Sequence, residues 1–372
     1  MSQAQSSLLY LNFASAGELF EKAFSDLRIS CNLADEFYSQ PLSTVINKTY
    51  GELFSIFESI LAHADFPDQS IANHATNLAQ RTQLIQAFEK PDEVVAFIED
   101  KVADIVSNFP RRAEDIERGR NPGDVIDPYI IAATRYLLYN GNFDKAIEAT
   151  VAHKVLMMIE GLLGYLHEDV IGLMRGNVRA PEPRGKSQEK LDPIRNPFPG
   201  ADVIQPPWNP EKPLRFYQLK SKTGSAKGGD GIRLGTQLRQ LQECYGGEIY
   251  YAALIGTTLD EHRSKAAVER EAPSVVVLVG DASFGELTGS ETGSQLLLRV
   301  YPTAFIEVAR KSGYVLETIA SGIVSTFTEQ AREAGDGYLE TILKVVTEGS
   351  VEAQNSRLYN QQDRRSRKRK KS

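Results

Sequence analysis

Apolar residues recur three and four positions apart through most of the first 140 residues, which is the spacing that gives an α-helix one apolar face. The clearest stretches are residues 15–27, 47–64, 71–88 and 91–109. Pro, Gly, Asn and Asp separate these stretches, as is typical of the turns between helices. The same spacing predicts a long helix over residues 143–174. We therefore expect a large helical N-terminal region.

The spacing changes in the middle of the chain. Residues 214–221, 248–256 and 274–280 are short, rich in β-branched or aromatic residues and bounded by Gly and Pro, which predicts three strands. A helix is predicted between the first two strands, over residues 232–244. Residues 175–213 are rich in Pro, Gly and Arg and are predicted to be mostly loop.

Helical spacing returns after the third predicted strand, in residues 294–311, 315–334 and 337–346. Strands enclosed by helices on both sides in the chain predict a fold of the α+β or α/β class. We divide the chain accordingly into a helical region (1–140), a core (141–290), C-terminal helices packed on that core (291–350) and a tail (351–372).

The composition excludes several classes of protein. With 41% apolar and 24% charged residues among 372, the chain is typical of a soluble globular protein. No stretch approaches the roughly 18–20 apolar residues of a membrane span, and the first thirty residues carry acids without the basic start of a signal peptide. Cys31 and Cys244 are too few for a disulfide framework or a zinc site. We therefore expect a cytoplasmic protein without a membrane partner.

Positive charge is concentrated in two segments of a chain whose formal net charge is −7. Residues 175–245 hold thirteen basic and seven acidic side chains, and the last ten residues hold seven basic and one acidic. An acidic protein contacts nucleic acid where its positive charge is gathered, so both segments are candidates for that contact. The tail is predicted to be disordered because its like charges repel. It could serve as a phosphate-binding arm, a nuclear address or a solubilising end.

Polar side chains on the first predicted strand indicate a metal-dependent reaction. Gln218 and Lys220 are two positions apart and share a face, whereas Tyr217 and Leu219 face the other way. Asp202 lies in a short apolar run just after a loop and could reach the face of Gln218. A carboxylate and an amide oxygen suit a hard cation such as Mg²⁺, and a neighbouring Lys can orient water and stabilise charge on a phosphate. A solvated Lys at a strand end is the alternative interpretation.

A glycine-rich basic loop follows this strand, at residues 222–231, and a helix begins after it. Its backbone amides could contact phosphate groups. The residue order KTGSAKGGDG is not that of a P-loop. The preceding strand ends in Lys-Ser-Lys and does not run into the glycines, unlike a dinucleotide-binding fingerprint. No nucleotide cofactor is therefore predicted.

Asp202, Gln218, Lys220, the basic loop, the helix after it and the predicted strand at 248–256 together resemble the core of PD-(D/E)xK nucleases. The resemblance implies a restriction-endonuclease-like core, which is a mixed central sheet flanked by helices. It also implies that Asp202 and Gln218 hold Mg²⁺ and that Lys220 assists the attacking water. Gln218 departs from the family pattern, which usually has Asp or Glu at that position. Gln is an attested variant, but it removes one negative charge from the site.

A supplementary acid is then expected from the helix before the core. Glu160 and Glu168 are eight positions apart and lie on roughly the same helix face. We prefer Glu168 as the catalytic and metal-binding residue because it lies nearer in sequence to Asp202. The alternative is that both glutamates are surface acids.

The overall layout is similar to that of type II restriction endonucleases, and two segments, LKSKTGSAKGGDGIRLGTQLRQL and AALIGTTLDEHRSKAAV, are similar to the ApaLI-like group. The resemblance implies a homodimer in the prokaryotic cytosol that cuts double-stranded DNA at a short palindromic site, since a two-fold protein matches a two-fold site. Arginine and glutamine commonly read bases, whereas lysines commonly contact phosphates. The candidates are Arg233, Gln237, Arg239 and Gln240 for bases, and Lys222 and Lys227 for phosphates.

Two other functions stay open. The first is a nuclease of the same fold that acts on branched, damaged or RNA substrates. The second is a non-catalytic helical DNA-binding or interaction protein whose polar strand is incidental. The N-terminal helices could form a recognition apparatus, a dimer interface or a cover for the core.

Overall fold

The structure, a computed structural model, describes residues 11–64, 66–117, 127–183, 191–207, 213–222, 230–260, 262–290, 292–313 and 315–348. Within these residues the chain forms thirteen α-helices and one mixed sheet of five strands. The predicted mixed sheet flanked by helices is confirmed, and its class is α+β.

The helices are α1 (Ala16–Asp26), α2 (Asp35–Ser39), α3 (Tyr50–His63), α4 (Asp68–Ala87), α5 (Pro91–Glu117), α6 (Pro128–Ala133), α7 (Phe143–Gly172), α8 (Asp230–Tyr245), α9 (Arg263–Glu271), α10 (Asp281–Thr288), α11 (Gly293–Lys311), α12 (Val315–Ala334) and α13 (Tyr338–Glu348). The strands are β1 (Val178–Arg179), β2 (Val203–Gln205), β3 (Arg215–Lys222), β4 (Glu248–Ile255) and β5 (Val276–Val279).

The predicted N-terminal helices are present, and local capping explains where two of them begin. Ser15 caps α1 by accepting a hydrogen bond from the Glu18 N–H at 3.3 Å. Thr49 and Glu52 form a reciprocal capping box at the start of α3, which satisfies two backbone donors. Helix α5 continues to Glu117, beyond the end predicted at residue 109.

The strands lie in the order β1-β2-β3-β4-β5 across the sheet. β1, β2 and β3 are antiparallel neighbours, whereas β3, β4 and β5 run parallel and are connected through α8 and α9. The three predicted strands correspond to β3, β4 and β5. β1 and β2 fall in the segment predicted as mostly loop, because strands of two and three residues are too short to show an alternating pattern.

Alternate side chains of the strands are buried on opposite faces of the sheet. On one face, Val203, Tyr217 and Leu219 belong to a cluster with residues of α4, α5, α7, α10 and α11. On the other face, Phe216 and Ile249 belong to a cluster with residues of α8 and α9. The sheet is therefore a middle layer, and polar residues on the second face lie on the side of α8.

Packing groups the described residues into two compact units. The first contains the described parts of Met1–Val102 and Leu162–Val308, and the second those of Ala103–Gly161 and Ala309–Ser372. N-terminal helices α4 and α5 share a hydrophobic cluster with the sheet, so the packing does not follow the linear division predicted at residues 140 and 290. The second unit has its own cluster, from α6, α7, α12 and α13. The predicted tail at 351–372 lies outside the described residues.

Candidate functional site

The structure brings Asp202, Gln218 and Lys220 together, as their spacing predicted. β2 pairs antiparallel with β3, which places Asp202, just before β2, opposite Gln218. Oδ2 of Asp202 accepts a hydrogen bond from Nε2 of Gln218 and a second from the Leu219 N–H at 2.7 Å. Lys220, two positions after Gln218, is half-buried on the same face of β3. The carboxylate of Asp202 is thus fixed by the strand that carries the other two residues.

Gly200, in the loop before β2, allows that loop to place Asp202 next to β3. Gly200 has a φ of +78°, in the left-handed region that favours glycine. A Cβ atom at this position would lie 2.9 Å from Cβ of Gln237 on α8. A larger residue would therefore push the loop away from α8, and Asp202 away from β3.

Arg179 on β1 connects Asp202 to the acidic end of α7. Its Nη1 donates to the backbone oxygen of Asp202 at 2.7 Å, and its Nη2 donates to Oε2 of Glu168 at 2.6 Å. The same guanidinium contacts Oδ1 of Asp169 at 3.1 Å and Oε1 of Glu182 at 3.0 Å. Glu168, the preferred supplementary acid, is therefore part of the cluster.

Sequence reasoning did not identify Arg179, Asp169 or Glu182. Their only sequence signals are the excess of basic residues in the segment 175–245 and the position of Asp169 next to Glu168. Glu160, the alternative acid, is exposed and belongs to the second packing unit.

The surroundings of the cluster disfavour the ionised forms of Glu168 and Asp202, mainly because both carboxyl groups are buried. The pKa of Glu168 is raised to about 8, first by burial and then by the negative charge of Asp202. The pKa of Asp202 is raised to about 6, mainly by burial, although the ammonium of Lys220 and the N–H of Leu219 oppose the rise. The positive charge of Arg179 lowers both pKa values without reversing either shift. A cation bound to the two carboxylates would favour their ionised forms.

The donor set suits a hard cation that keeps part of its hydration shell. Hydrogen bonds among the described residues reach Oδ2 of Asp202 and Oε2 of Glu168, and leave Oδ1 and Oε1 for a cation or water. No group of three or more His, Cys, Asp or Glu side chains in the described part of the chain is arranged to hold a metal. Two carboxylates with several waters match the usual coordination of Mg²⁺. Gln218 could contribute its amide oxygen only by turning its amide, because its nitrogen now faces Asp202.

Three of the predicted DNA-contacting residues are exposed. Arg233 and Arg239 lie on α8, with side chains 44% and 45% exposed, and pair with Asp230 at 3.6 Å and Glu243 at 3.7 Å on the same helix. Lys222 is exposed at the end of β3. Lys227 lies outside the described residues.

The structure disagrees with the prediction that Gln237 reads bases. Its side chain is only 1% exposed, packed on the loop at Gly200, because it lies on the face of α8 that is buried against the sheet. Gln240 is half-buried, and its Oε1 is buried without a hydrogen-bond partner among the described residues. A glutamine carries no periodicity signal strong enough to mark it as buried, which explains the error.

Helix α8 is held close to α9 by two glycines one helical turn apart. A Cβ at Gly231 would lie 2.6 Å from the backbone oxygen of Ser264, and a Cβ at Gly235 would lie 2.9 Å from that of Val268. The absence of side chains at these positions therefore lets the two helices approach. Arg233 and Arg239 project from the exposed side of this fixed helix.

No protein-family model matches the chain, and no curated protein matches it significantly. Among the described residues, no helix is both long and apolar enough to cross a membrane.

Proposed function

We propose that this protein is a Mg²⁺-dependent type II restriction endonuclease of the PD-(D/E)xK superfamily, which hydrolyses phosphodiester bonds of double-stranded DNA at a short palindromic site as a homodimer. The observation that carries the proposal is the convergence of Asp202, Gln218 and Lys220 on one face of the sheet, with Glu168 joined to them through Arg179. Burial raises the pKa values of both carboxyl groups, and a bound cation would favour their ionised forms.

Each residue of the cluster has a distinct part in the proposed reaction. Asp202 and Glu168 would hold Mg²⁺, which when bound supplies Lewis-acid stabilisation of the charge that develops on the scissile phosphate. The Leu219 N–H fixes the orientation of the Asp202 carboxylate. Gln218 supports the same carboxylate without adding charge. Lys220 forms no ion pair with a described residue, so its ammonium is available to orient the attacking water and to stabilise negative charge on the phosphate.

Exposed basic residues near the cluster in sequence support DNA as the substrate. Lys222 follows Lys220 by two positions at the end of β3, where it suits a phosphate of the strand being cut. Arg233 and Arg239 on α8 suit contacts to base edges or to flanking phosphates. Each must exchange its present acidic partner on α8 for the DNA.

The test is incubation of the purified full chain with long unmodified duplex DNA, in Mg²⁺ and in EDTA. We expect discrete fragments with Mg²⁺ and none with EDTA, and the fragment ends would give the recognition site. Asp202→Asn should abolish cleavage and retain DNA binding. Asp260→Asn is the matched control, because the side chain of Asp260 is 83% exposed.

Two results would refute the proposal in different ways. A smear, or nicking that follows DNA structure and not sequence, would indicate the repair or branched-DNA nuclease. Intact DNA on several unmodified substrates, with binding that is independent of Mg²⁺, would indicate a non-catalytic interaction protein.

A further inference from the structure

Arg179 is the only described residue that donates a hydrogen bond to Glu168. The side chain of Arg179 is 21% exposed, and so is that of Glu168, so the pair is largely removed from solvent. The same guanidinium also holds the backbone oxygen of Asp202 at 2.7 Å. One side chain therefore ties α7 to the start of β2, the two elements that carry the carboxylates.

The two carboxylates repel each other, and Arg179 opposes that repulsion. The charge of Asp202 acts unfavourably on ionised Glu168, and the charge of Arg179 acts favourably on both. A guanidinium is a planar fork with five donors, which lets it address several oxygens in fixed directions at once. Lysine, a single point charge, cannot reproduce that arrangement.

The contacts of Arg179 leave one carboxylate oxygen of Glu168 and one of Asp202 available to a cation. Arg179 takes Oε2 of Glu168 and the main-chain oxygen of Asp202, and no hydrogen bond from a described residue reaches Oε1 or Oδ1. Nε of Arg179 donates to Oδ1 of Asp169 at 3.1 Å. Nη2, which also donates to Glu168, donates to Oε1 of Glu182 at 3.0 Å. These contacts anchor the arginine without using Oε1 of Glu168 or Oδ1 of Asp202.

We propose that Arg179 is a positioning residue for the divalent cation, which acts by holding Glu168 at the distance from Asp202 that lets both carboxylates bind one ion. The inference rests on the proposed function, since it assigns a role within the same site. It predicts that Arg179 controls how tightly the cation binds, and that it has little influence on the chemical step once the cation is bound.

The experiment compares the full-length protein with Arg179→Lys, by calorimetric titration with Mg²⁺ and by cleavage rate as a function of Mg²⁺ concentration. Loss of an outer-shell partner of a metal ligand typically weakens metal binding about 10–100-fold. We expect a shift of that size in both midpoints, and a maximal rate at saturating Mg²⁺ close to that of the unaltered protein.

Arg215→Lys is the matched control. Arg215 is a comparably buried arginine of the same sheet, with a side chain 12% exposed, and it pairs with Glu286 at 2.7 Å and Glu248 at 3.1 Å. Its side chain lies on the opposite face of β3 from Gln218. We expect Arg215→Lys to lower the melting temperature and to leave the Mg²⁺ midpoint unchanged.

Two further variants separate positioning from a general structural effect. In Glu168→Gln, adding Arg179→Lys should cause no further loss of Mg²⁺ affinity, because the arginine acts through Glu168. Asp169→Asn removes one anchor of the guanidinium without touching either carboxylate, and should raise the Mg²⁺ midpoint severalfold. This variant decides the question if Arg179→Lys does not fold.

An unchanged Mg²⁺ midpoint in the Arg179 or Asp169 variants would overturn the proposal while leaving the endonuclease intact. Tighter Mg²⁺ binding would also overturn it, because the arginine would then compete with the cation for Glu168. An unaltered protein that neither binds Mg²⁺ nor cuts DNA would refute the proposed function, and the positioning role with it.

Discussion

Replacing Asp202 by asparagine is expected to stabilise the metal-free protein above pH 6 and to remove its response to Mg²⁺. Asparagine has the shape of aspartate but no charge. With its amide oxygen in the place of Oδ2, asparagine accepts from both the Leu219 N–H and Nε2 of Gln218, as the carboxylate does. The substitution therefore removes the charge and preserves the hydrogen bonds.

The size of the effect follows from the pKa of Asp202, which folding raises from 3.8 to about 6. Each pKa unit corresponds to about 1.4 kcal/mol of free energy, so keeping this carboxylate ionised in the folded, metal-free chain costs up to about 3 kcal/mol at high pH. Removing the charge of Asp202 also removes a repulsion that raises the pKa of Glu168. Both contributions make Asp202→Asn more stable than the unaltered protein at high pH.

The direction of the pH dependence is fixed by the raised pKa. Below about pH 3 the carboxyl is protonated in both folded and unfolded chains, so removing its charge does not change the free energy of unfolding. As the pH rises toward 6, the unfolded chain ionises before the folded chain, so the free energy of unfolding of the unaltered protein falls. Above the folded pKa this contribution of Asp202 is constant.

The assay is thermal unfolding in EDTA from pH 4 to pH 8, for the unaltered protein, Asp202→Asn and the exposed control Asp260→Asn. At about 2–4 °C per kcal/mol for a unit of 150–250 residues, we expect Asp202→Asn to melt about 6–12 °C higher at pH 8 and at nearly the same temperature at pH 4. Added Mg²⁺ should raise the melting temperature of the unaltered protein and of the control only.

A lower melting temperature for Asp202→Asn at pH 8 would refute this reasoning. That result would mean that the negative charge of Asp202 stabilises the fold through the hydrogen bonds that it accepts from β3. It would contradict the inference that this charge destabilises the metal-free protein and is present to bind a cation.

Four other outcomes are expected. Lys220→Met should slow cleavage at least about 100-fold, which is the range for loss of a general acid–base or charge-stabilising group. Mg²⁺ binding measured by calorimetry should be retained or become tighter, because the variant lacks a positive charge near the carboxylates. Gln218→Glu should retain some cleavage and bind Mg²⁺ more tightly, since it restores the acid usual in PD-(D/E)xK nucleases; complete inactivity would mean that the amide has another role. Arg239→Ala should weaken DNA binding in gel-shift titrations without changing the melting temperature, whereas Gln237→Ala should lower the melting temperature because its side chain is buried. Deleting residues 364–371 should weaken binding to all sequences and flatten its salt dependence, as expected when phosphate contacts are lost; an unchanged salt slope would assign the tail another role.

The sequence predicted those parts of the fold that show a repeating pattern over many residues. Helices α1, α3, α4 and α5 have an apolar face several turns long, and β3 and β4 are eight-residue strands with β-branched or aromatic residues. β1 and β2 have no such length; β2 forms because it pairs with the edge of β3, and β1 forms because it pairs with β2. That pairing is a tertiary interaction and leaves little trace in the local sequence.

The same distinction applies to the candidate site. Gln218 and Lys220 could be placed together because two positions along one strand determine a shared face. Arg179 could not be predicted, because its contacts to Glu168 and Asp202 join three segments of the chain that meet only after folding. Gln237 was assigned to the surface by its chemistry, whereas the packing of α8 against the loop at Gly200 buries it.

The close packing of α8 against α9 has a consequence for how the DNA sequence specificity could change during evolution. Gly231 and Gly235 fix where the helix backbone lies, and a methyl group at either position would meet backbone atoms of α9 at less than 3.0 Å. The side chains of Arg233 and Arg239 extend from the exposed side of α8 and contribute little to the core. Under the proposed function, related chains that cut different DNA sequences should therefore vary at the two arginines and keep both glycines. The DNA sequence that is recognised would then change while the position of the α8 backbone stays the same.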